Sequence, residues 1–344
     1  MTIIAALILF SIIVLIHELG HFIFAKRSGI KVNEFSIGMG PKIYSVKKDT
    51  EYSIRALPIG GYVSMEGEDE EQISPNSFGN KSILQRFSTI VAGPIFNIIL
   101  AAILLVPVFL YIGSPTTKLG KIMPDTPAQA VGLQVGDKIN KINGNSVKTW
   151  DEVANIINTS SGGELKLSIT RDGSDKVVNV TPKNNNGKYE IGIQPQREKD
   201  FLGSIVNACK TTVDMTKQML TFLGQMITGR VPGGIGNAVA GPVGVIGMVS
   251  DAARTGIINV VYLAAVISLN LGIVNLLPIP ALDGWRILML LLEAVRGGKK
   301  LDPNKEGMIN VVGFGALMLF MLFITYKDIL RLFQWFSFLE ILRK

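Results

Sequence analysis

Residues 13–25 read IVLIHELGHFIFA. They lie inside an apolar run from about Thr2 to Ala25, and about 20 such residues suffice for a helix to cross the hydrocarbon core of a bilayer. Yet the run holds Glu18, His17 and His21, and these are the only two histidines of the chain. An ionisable side chain at membrane depth costs several kcal/mol, so three of them within five residues mark a functional site. His17 and His21 are four positions apart, which on a helix stacks both imidazoles on one face within reach of a single metal ion. Glu18 stands beside that site. In zinc hydrolases of this pattern the imidazoles hold Zn²⁺, the metal lowers the pKa of its bound water to about 7, and the glutamate takes the proton.

A catalytic zinc ion usually has three protein ligands and one open position. With no third histidine, the remaining ligand is a carboxylate, Cys209 or a weaker oxygen donor. The stretch NLLPIPALDGWRI, residues 275–287, presents Asp283 at the end of another apolar segment, after Pro278 and Pro280 and before Gly284. The prolines end a helix and the glycine permits an unusual turn, which together swing a carboxylate toward the first span. An Asp capping a helix that begins near Trp285 is the plainer alternative. Cys209, in an amphipathic segment, reads as a small apolar filler. At 1.5 Å per residue His17 lies about 22–24 Å along the first helix, and Asp283 ends the third span, so both fall in one half of the membrane.

The rest of the chain fits a membrane protein. Of 344 residues 48% are hydrophobic and 18% charged, and the mean hydropathy is +0.37. Four segments are candidate spans: about 2–25, 87–112, 257–277 and 308–326. The first lacks the basic start and the small-residue cleavage site of a signal peptide. The net charge of +7 would suit nucleic acid. However, Lys and Arg cluster beside the apolar segments, where they set orientation. They place the loops after the first and third spans in the cytoplasm and both chain ends outside. A single cysteine excludes an intrachain disulfide. The absence of a GxxxxGK[ST] sequence removes the commonest nucleotide cradle.

Between the first two spans, EFSIGMGPKIY and YSIRALPIGGYVSM read as short β segments with glycine turns, either an ordinary cytoplasmic hairpin or one folded back at membrane depth. EGEDEEQ at 66–72 reads as a solvated acidic loop. Residues 117–190 are polar with alternating short strands, a β-rich domain on the side opposite the basic loops. Residues 201–228 are helical and amphipathic, suited to the membrane surface or to bracing the β-rich domain. The glycine-rich segment from Arg230 to Gly247 reads as a loop or short strand. VAGPIFN, residues 91–97, sets Gly93, Pro94 and Asn97 in an apolar span. The glycine allows close helix contact. Asn97 bonds either a neighbouring helix or an unwound peptide, and Asn275 carries the same two readings.

HELGH in the first span, AGPIFN in the second and NLLPIPALDG in the third, with a domain between the last two, resemble the site-2 protease family of intramembrane zinc metalloproteases. The likeness is to its bacterial regulator of sigma-E protease type. GKIMPDTPAQAVGLQVGDKINKINGNSVKTWDEV, residues 120–153, looks like a PDZ domain. Only one such domain fits between the second and third spans, unlike the family's two-PDZ members. The resemblance implies a polytopic α-helical protein of the bacterial inner membrane, with four transmembrane helices, a membrane-associated β-hairpin and one inserted extracytoplasmic PDZ domain. It divides the chain into membrane core (1–116, with β region 30–65), PDZ domain (117–190), amphipathic helix and Gly-rich connector (191–256) and membrane core again (257–344). It implies Zn²⁺ on His17, His21 and Asp283, Glu18 as the catalytic glutamate, an active site toward the cytoplasm, and Asn97 and Asn275 near the substrate. The expected partners are lipid and single-pass membrane substrates, such as anti-sigma factors or remnant signal peptides already trimmed by a first protease, with a peptide tail in the PDZ groove and no nucleic acid. An edge strand at Gly60 and Gly61 would hold the unwound substrate by strand addition. Two rival readings are a PDZ-bearing scaffold with a non-catalytic zinc site, which has no use for Glu18, and a metal transporter, which wants polar ligands at several depths.

Overall fold

Helix α1, Thr2–Arg27, is apolar apart from Thr2, Ser11, its histidines, its glutamate and its basic last turn. Lys26 and Arg27 there oppose the negative end of the helix dipole. Gly29, at φ +66°, ends the helix in the left-handed conformation glycine adopts without strain. The computed structural model describes residues 2–68, 74–230, 239–299 and 303–342. Residues 69–72 of the acidic run and 231–238 of the glycine-rich segment lie outside the described residues. The chain divides into two compact units, Met1–Val108 with Ala208–Lys344, and Phe109–Asn207.

In the first unit α1 is followed by β1, Val32–Lys47, and β2, Glu51–Met65. The sequence suggests short strands; instead each is long and bent. The bends let Glu34 stand in register with Ser64 on one side and Glu51 on the other. Gly38 makes one bend at φ +84°, where any Cβ would lie 2.5 Å from Leu57 O, and Gly60 makes the other at φ +73°. The final stretch of β2 runs along α1. Ser11 Oγ donates to Pro58 O at 2.5 Å, and Gly60 lies against Val14. Ile43, Tyr44, Ile54 and Leu57 leave this hairpin with exposed apolar side chains.

Helix α2, Ile83–Ile112, carries Pro94 and Pro107 inside it. The later helices of this unit are α6, Pro242–Thr255, α7, Ile257–Asn275, α8, Asp283–Val295, and α9, Pro303–Leu342. α6 corrects the reading of the glycine-rich segment as loop or strand. Pro242 stands in its first turn, where a missing N–H is no loss. Among the described residues, four helices contain stretches long and apolar enough to cross a membrane: Ile4–Arg27, Ile83–Ile112, Ile257–Asn275 and Glu306–Arg331. Arg86 of α2 meets Glu293 of α8 in a buried two-point ion pair, at 2.9 and 2.6 Å, which fixes α8 against α2.

The second unit is built on the sheet order β10-β3-β4-β6-β7, with β5 beside β4. Its strands are β3, Ser114–Ile122; β4, Lys138–Ile142; β5, Asn145–Ser146; β6, Leu165–Arg171; β7, Ser174–Val180; and β10, Ile193–Glu198, with a separate hairpin of β8, Lys183–Asn185, and β9, Lys188–Glu190. Asn143–Gly144 and Asp172–Gly173 turn with positive φ at both residues, the tight hairpin turns that Asn-Gly and Asp-Gly favour. Helices α3, Pro127–Ala130, and α4, Trp150–Thr159, cover a core that includes Leu119, Ile139, Leu167 and Ile169; the Thr149–Glu152 capping box starts α4. The sheet extends beyond the 117–190 suggested by the sequence: it begins at Ser114, and β10 pairs with β3. The run IQPQRE alternates weakly and contains a proline, so its strand character comes from its partner. Helix α5, Phe201–Ile227, follows.

Candidate active site

On α1 the one-turn spacing brings His17 Nε2 and His21 Nε2 to 3.2 Å. Asp283, the first residue of α8, sends Oδ2 to 3.1 Å from the first nitrogen and 3.4 Å from the second. Three donors on a tetrahedral ion with bonds of about 2.0–2.1 Å stand roughly 3.3–3.4 Å apart. The triangle therefore has the size of a zinc face. Asp283 Oδ2 is buried and accepts no well-formed hydrogen bond among the described residues. An orphaned carboxylate oxygen facing two imidazole nitrogens is the donor set a cation satisfies. The tautomer of His21 agrees: its Nδ1 lies 2.9 Å from Thr89 O, which can only accept, so Nδ1 carries the proton and Nε2 keeps its lone pair for a metal.

Close packing sets these positions. A methyl group on Gly93 of α2 would lie 2.3 Å from His21 Nε2, and one on Gly20 would lie 2.6 Å from Ala92 O. Helices α1 and α2 thus cross with glycine on both sides. Gly284 serves the same end and not the turn expected of it. A Cβ there would lie 2.2 Å from Leu277 O, whereas the left-handed residue of the PIPALD bend is Ala281, at φ +72°. Asp283 does not act as the cap of α8 either, since Leu282 holds the N-cap position.

Glu18 points to the hairpin. Its Oε2 accepts the backbone N–H of Val63 at 3.1 Å. A cavity of about 320 Å³ opens here, lined by His17, Glu18, His21, Asp283, Asn275 and Tyr62, among others. Arg286, one turn beyond Asp283, borders it and is ion-paired with Glu68. Asn275 Nδ2 stands 3.4 Å from His17 Nε2 and faces the cavity. Asn97 lies on the other side of His17, fully buried, its Nδ2 3.2 Å from His17 Nδ1. A methyl group on Gly61 would approach Glu18 Cγ to 3.9 Å, while Gly60 faces Val14 and Met39.

Sequence reading missed Val63, Thr89 and Arg286. Two of them carry a signal. Arg86, Thr89, Gly93 and Asn97 recur at three- and four-residue spacing, a polar and small stripe down one face of an apolar helix. Arg286 is one helical turn from Asp283. Val63 acts through its backbone, and no side-chain pattern announces that.

The sequence matches the family model described as Peptidase family M50 over residues 5–320. A Clostridium acetobutylicum protein is 41% identical over 332 residues, covering 95% of this chain and 97% of that one. Zinc metalloprotease RasP of Geobacillus kaustophilus is 35% identical over 418 residues, covering 96% and 98%. Regulator of sigma-W protease RasP of Bacillus subtilis is 35% identical over 421, covering 96% and 99%. A solved PDZ domain from an SdrC-like protein of Listeria monocytogenes matches 23% of this chain and 85% of that one, at 24% identity and a TM-score of 0.21. The family match takes in both HELGH and LDG, the relatives align over nearly their whole lengths, and the chain belongs to peptidase family M50.

Proposed function

We propose that this protein is an intramembrane zinc metalloprotease that hydrolyses peptide bonds within single-pass transmembrane segments. The observation that carries this reading is the triangle of His17 Nε2, His21 Nε2 and Asp283 Oδ2 at 3.1–3.4 Å among apolar helices, with Glu18 beside it. Those three residues would hold the zinc ion. Zinc, when bound, supplies Lewis acidity to the attacking water and the scissile carbonyl. Glu18, oriented by the Val63 N–H, takes the proton from that water and returns it to the departing amide nitrogen. The Asn275 amide, at the cavity wall, donates to the carbonyl oxygen as negative charge develops there.

A transmembrane substrate helix has its backbone groups satisfied internally, so it must unwind for a bond to reach the cavity. The stretch of β2 that follows Gly60, from Gly61 to Met65, pairs with β1 on one side and turns Val63 toward the site. A substrate strand added along it would keep its own groups bonded. The exposed apolar side chains of the hairpin support a position at membrane depth. Basic loops after the first and third spans favour a cytoplasmic location for this end, with the β-rich unit, read as a single PDZ domain, outside. The Bacillus subtilis relative is named a regulator of sigma-W protease. Substrates of the anti-sigma factor kind, or remnant signal peptides, follow by analogy, and the PDZ groove would bind a peptide tail or obstruct bulky ectodomains.

Cleavage of a model single-pass substrate by the purified protein in detergent tests this. Wild type should cut, a zinc chelator should stop it, and Glu18→Gln should bind zinc without cutting. Equal cleavage by wild type and Glu18→Gln would refute the mechanism. Zinc bound by both with cleavage by neither would favour a scaffold.

A further inference from the structure

Asn97 is not among the residues that line the cavity. It is fully buried in the middle of α2, and its side chain meets the face of His17 turned away from the cavity. Its place is fixed by α7. Ser268 Oγ donates to Asn97 O at 2.8 Å. One turn on, a methyl group on Gly272 would lie 3.2 Å from Asn97 Cβ and 2.7 Å from Pro94 O. Small residues at 268 and 272 thus press the Asn97 backbone against the α1 histidines.

The amide shows Nδ2 to His17 Nδ1 at 3.2 Å, while Oδ1 is buried with no partner among the described residues. This orientation conflicts with metal binding. An amide nitrogen only donates, so His17 Nδ1 would have to be bare and Nε2 would carry the proton. A protonated Nε2 cannot ligate. With Nε2 free for zinc, Nδ1–H needs an acceptor, and the Asn97 oxygen is the acceptor within reach after a half-turn of the amide. An amide's oxygen and nitrogen trade places at almost no steric cost, so hydrogen bonding decides which faces the ring. A buried carbonyl left unpaired loses its hydrogen bonds to water without replacement, which favours the turned amide once Nδ1 is protonated.

We propose that Asn97 is a positioning residue for the metal: its carbonyl oxygen accepts the His17 Nδ1–H and holds the tautomer whose Nε2 faces His21 and Asp283. It does for His17 what Thr89 O does for His21. Partners of this kind orient the ring and raise its basicity, and removing one typically costs 10–100-fold in metal affinity. The inference rests on the zinc reading above.

The test is zinc affinity of the full-length protein in detergent, measured by competition with a chromophoric chelator. Asn97→Leu, which keeps the branched skeleton but cannot accept, should bind zinc about 10–100-fold more weakly. Asn97→Asp, which as a carboxylate can only accept, should bind within about threefold of wild type or more tightly. Wild-type affinity in Asn97→Leu would overturn the proposal. So would tenfold or greater weakening in Asn97→Asp, the pattern expected if the amide donates. Should Asn97→Leu fail to fold, Asn97→Asp decides alone. His17→Ala separates the two levels: if it keeps wild-type zinc affinity, the zinc site itself is misassigned.

Discussion

The backbone N–H of Val63 donates to Glu18 Oε2 at 3.1 Å, joining the last stretch of β2 to the proposed general base. The same stretch follows α1 from the Ser11–Pro58 contact upward, so the position of the carboxylate depends on that of the hairpin. This makes the hairpin part of the candidate active site.

Val63→Pro tests that link. Proline removes the N–H, and its φ of about −65° is compatible with extended backbone. A hydrogen bond to a charged group contributes about 1.5–3 kcal/mol, which predicts a fall in kcat of roughly 10–150-fold through misorientation of Glu18. Zinc content should not change, because no metal donor is touched. Steady-state cleavage alongside zinc analysis reads both. An undiminished kcat would show that the Val63 contact does not orient the base.

Gly93→Ala addresses the crossing of α1 and α2. Its Cβ would lie 2.3 Å from His21 Nε2, inside any allowed contact, so the imidazole or the helix must move. Overpacking of this kind costs about 1–3 kcal/mol. Because the displaced atom is a proposed ligand, zinc affinity should fall by at least tenfold, and the midpoint of thermal unfolding should drop as well. Loss of stability with unchanged zinc affinity would place His21 Nε2 outside the metal site.

The parts legible in the sequence are those that side-chain chemistry and periodicity encode. The four long apolar helices appear as apolar runs, and the turns at Asn143–Gly144 and Asp172–Gly173 appear as residue types that tolerate positive φ. His17 and His21 are legible because helical spacing alone brings them together. Asp283 is legible because no third histidine exists and few carboxylates lie at a span's end. What the sequence hides is set by tertiary contact. The long bent strands of the hairpin depend on pairing with each other, Ala281 takes up a left-handed conformation only because the chain must turn there, and β10 becomes a strand by joining β3. Asn97 shows the limit most directly. Its residue type says that it will hydrogen-bond, but only the packing of α2 against α1 and α7 shows that its neighbour is His17.

Glu66, just beyond β2, sets a pH dependence away from the membrane helices. Lys31 Nζ lies 2.5 Å from Glu66 Oε2, and Ser74 and Ser77 donate to Oε1, which ties the segment around residues 74–80 to the end of the hairpin. The Lys31 contact first, and the two serines after it, hold the carboxyl down at about 2 against an ordinary value of 4.5. A depressed carboxyl pKa means that the unfolded state binds the proton more readily than the folded one. The stabilisation is therefore fully present above pH 4.5 and is lost as the pH falls toward 2. Glu66→Gln removes the charge without changing the shape. The variant should unfold at a lower temperature than wild type at pH 7, the gap should narrow as the pH falls from about 4.5, and it should close near pH 2. Thermal unfolding of both proteins across that range in one detergent is the measurement. A gap that stays constant from pH 7 to pH 2 would mean that the Glu66 charge contributes nothing.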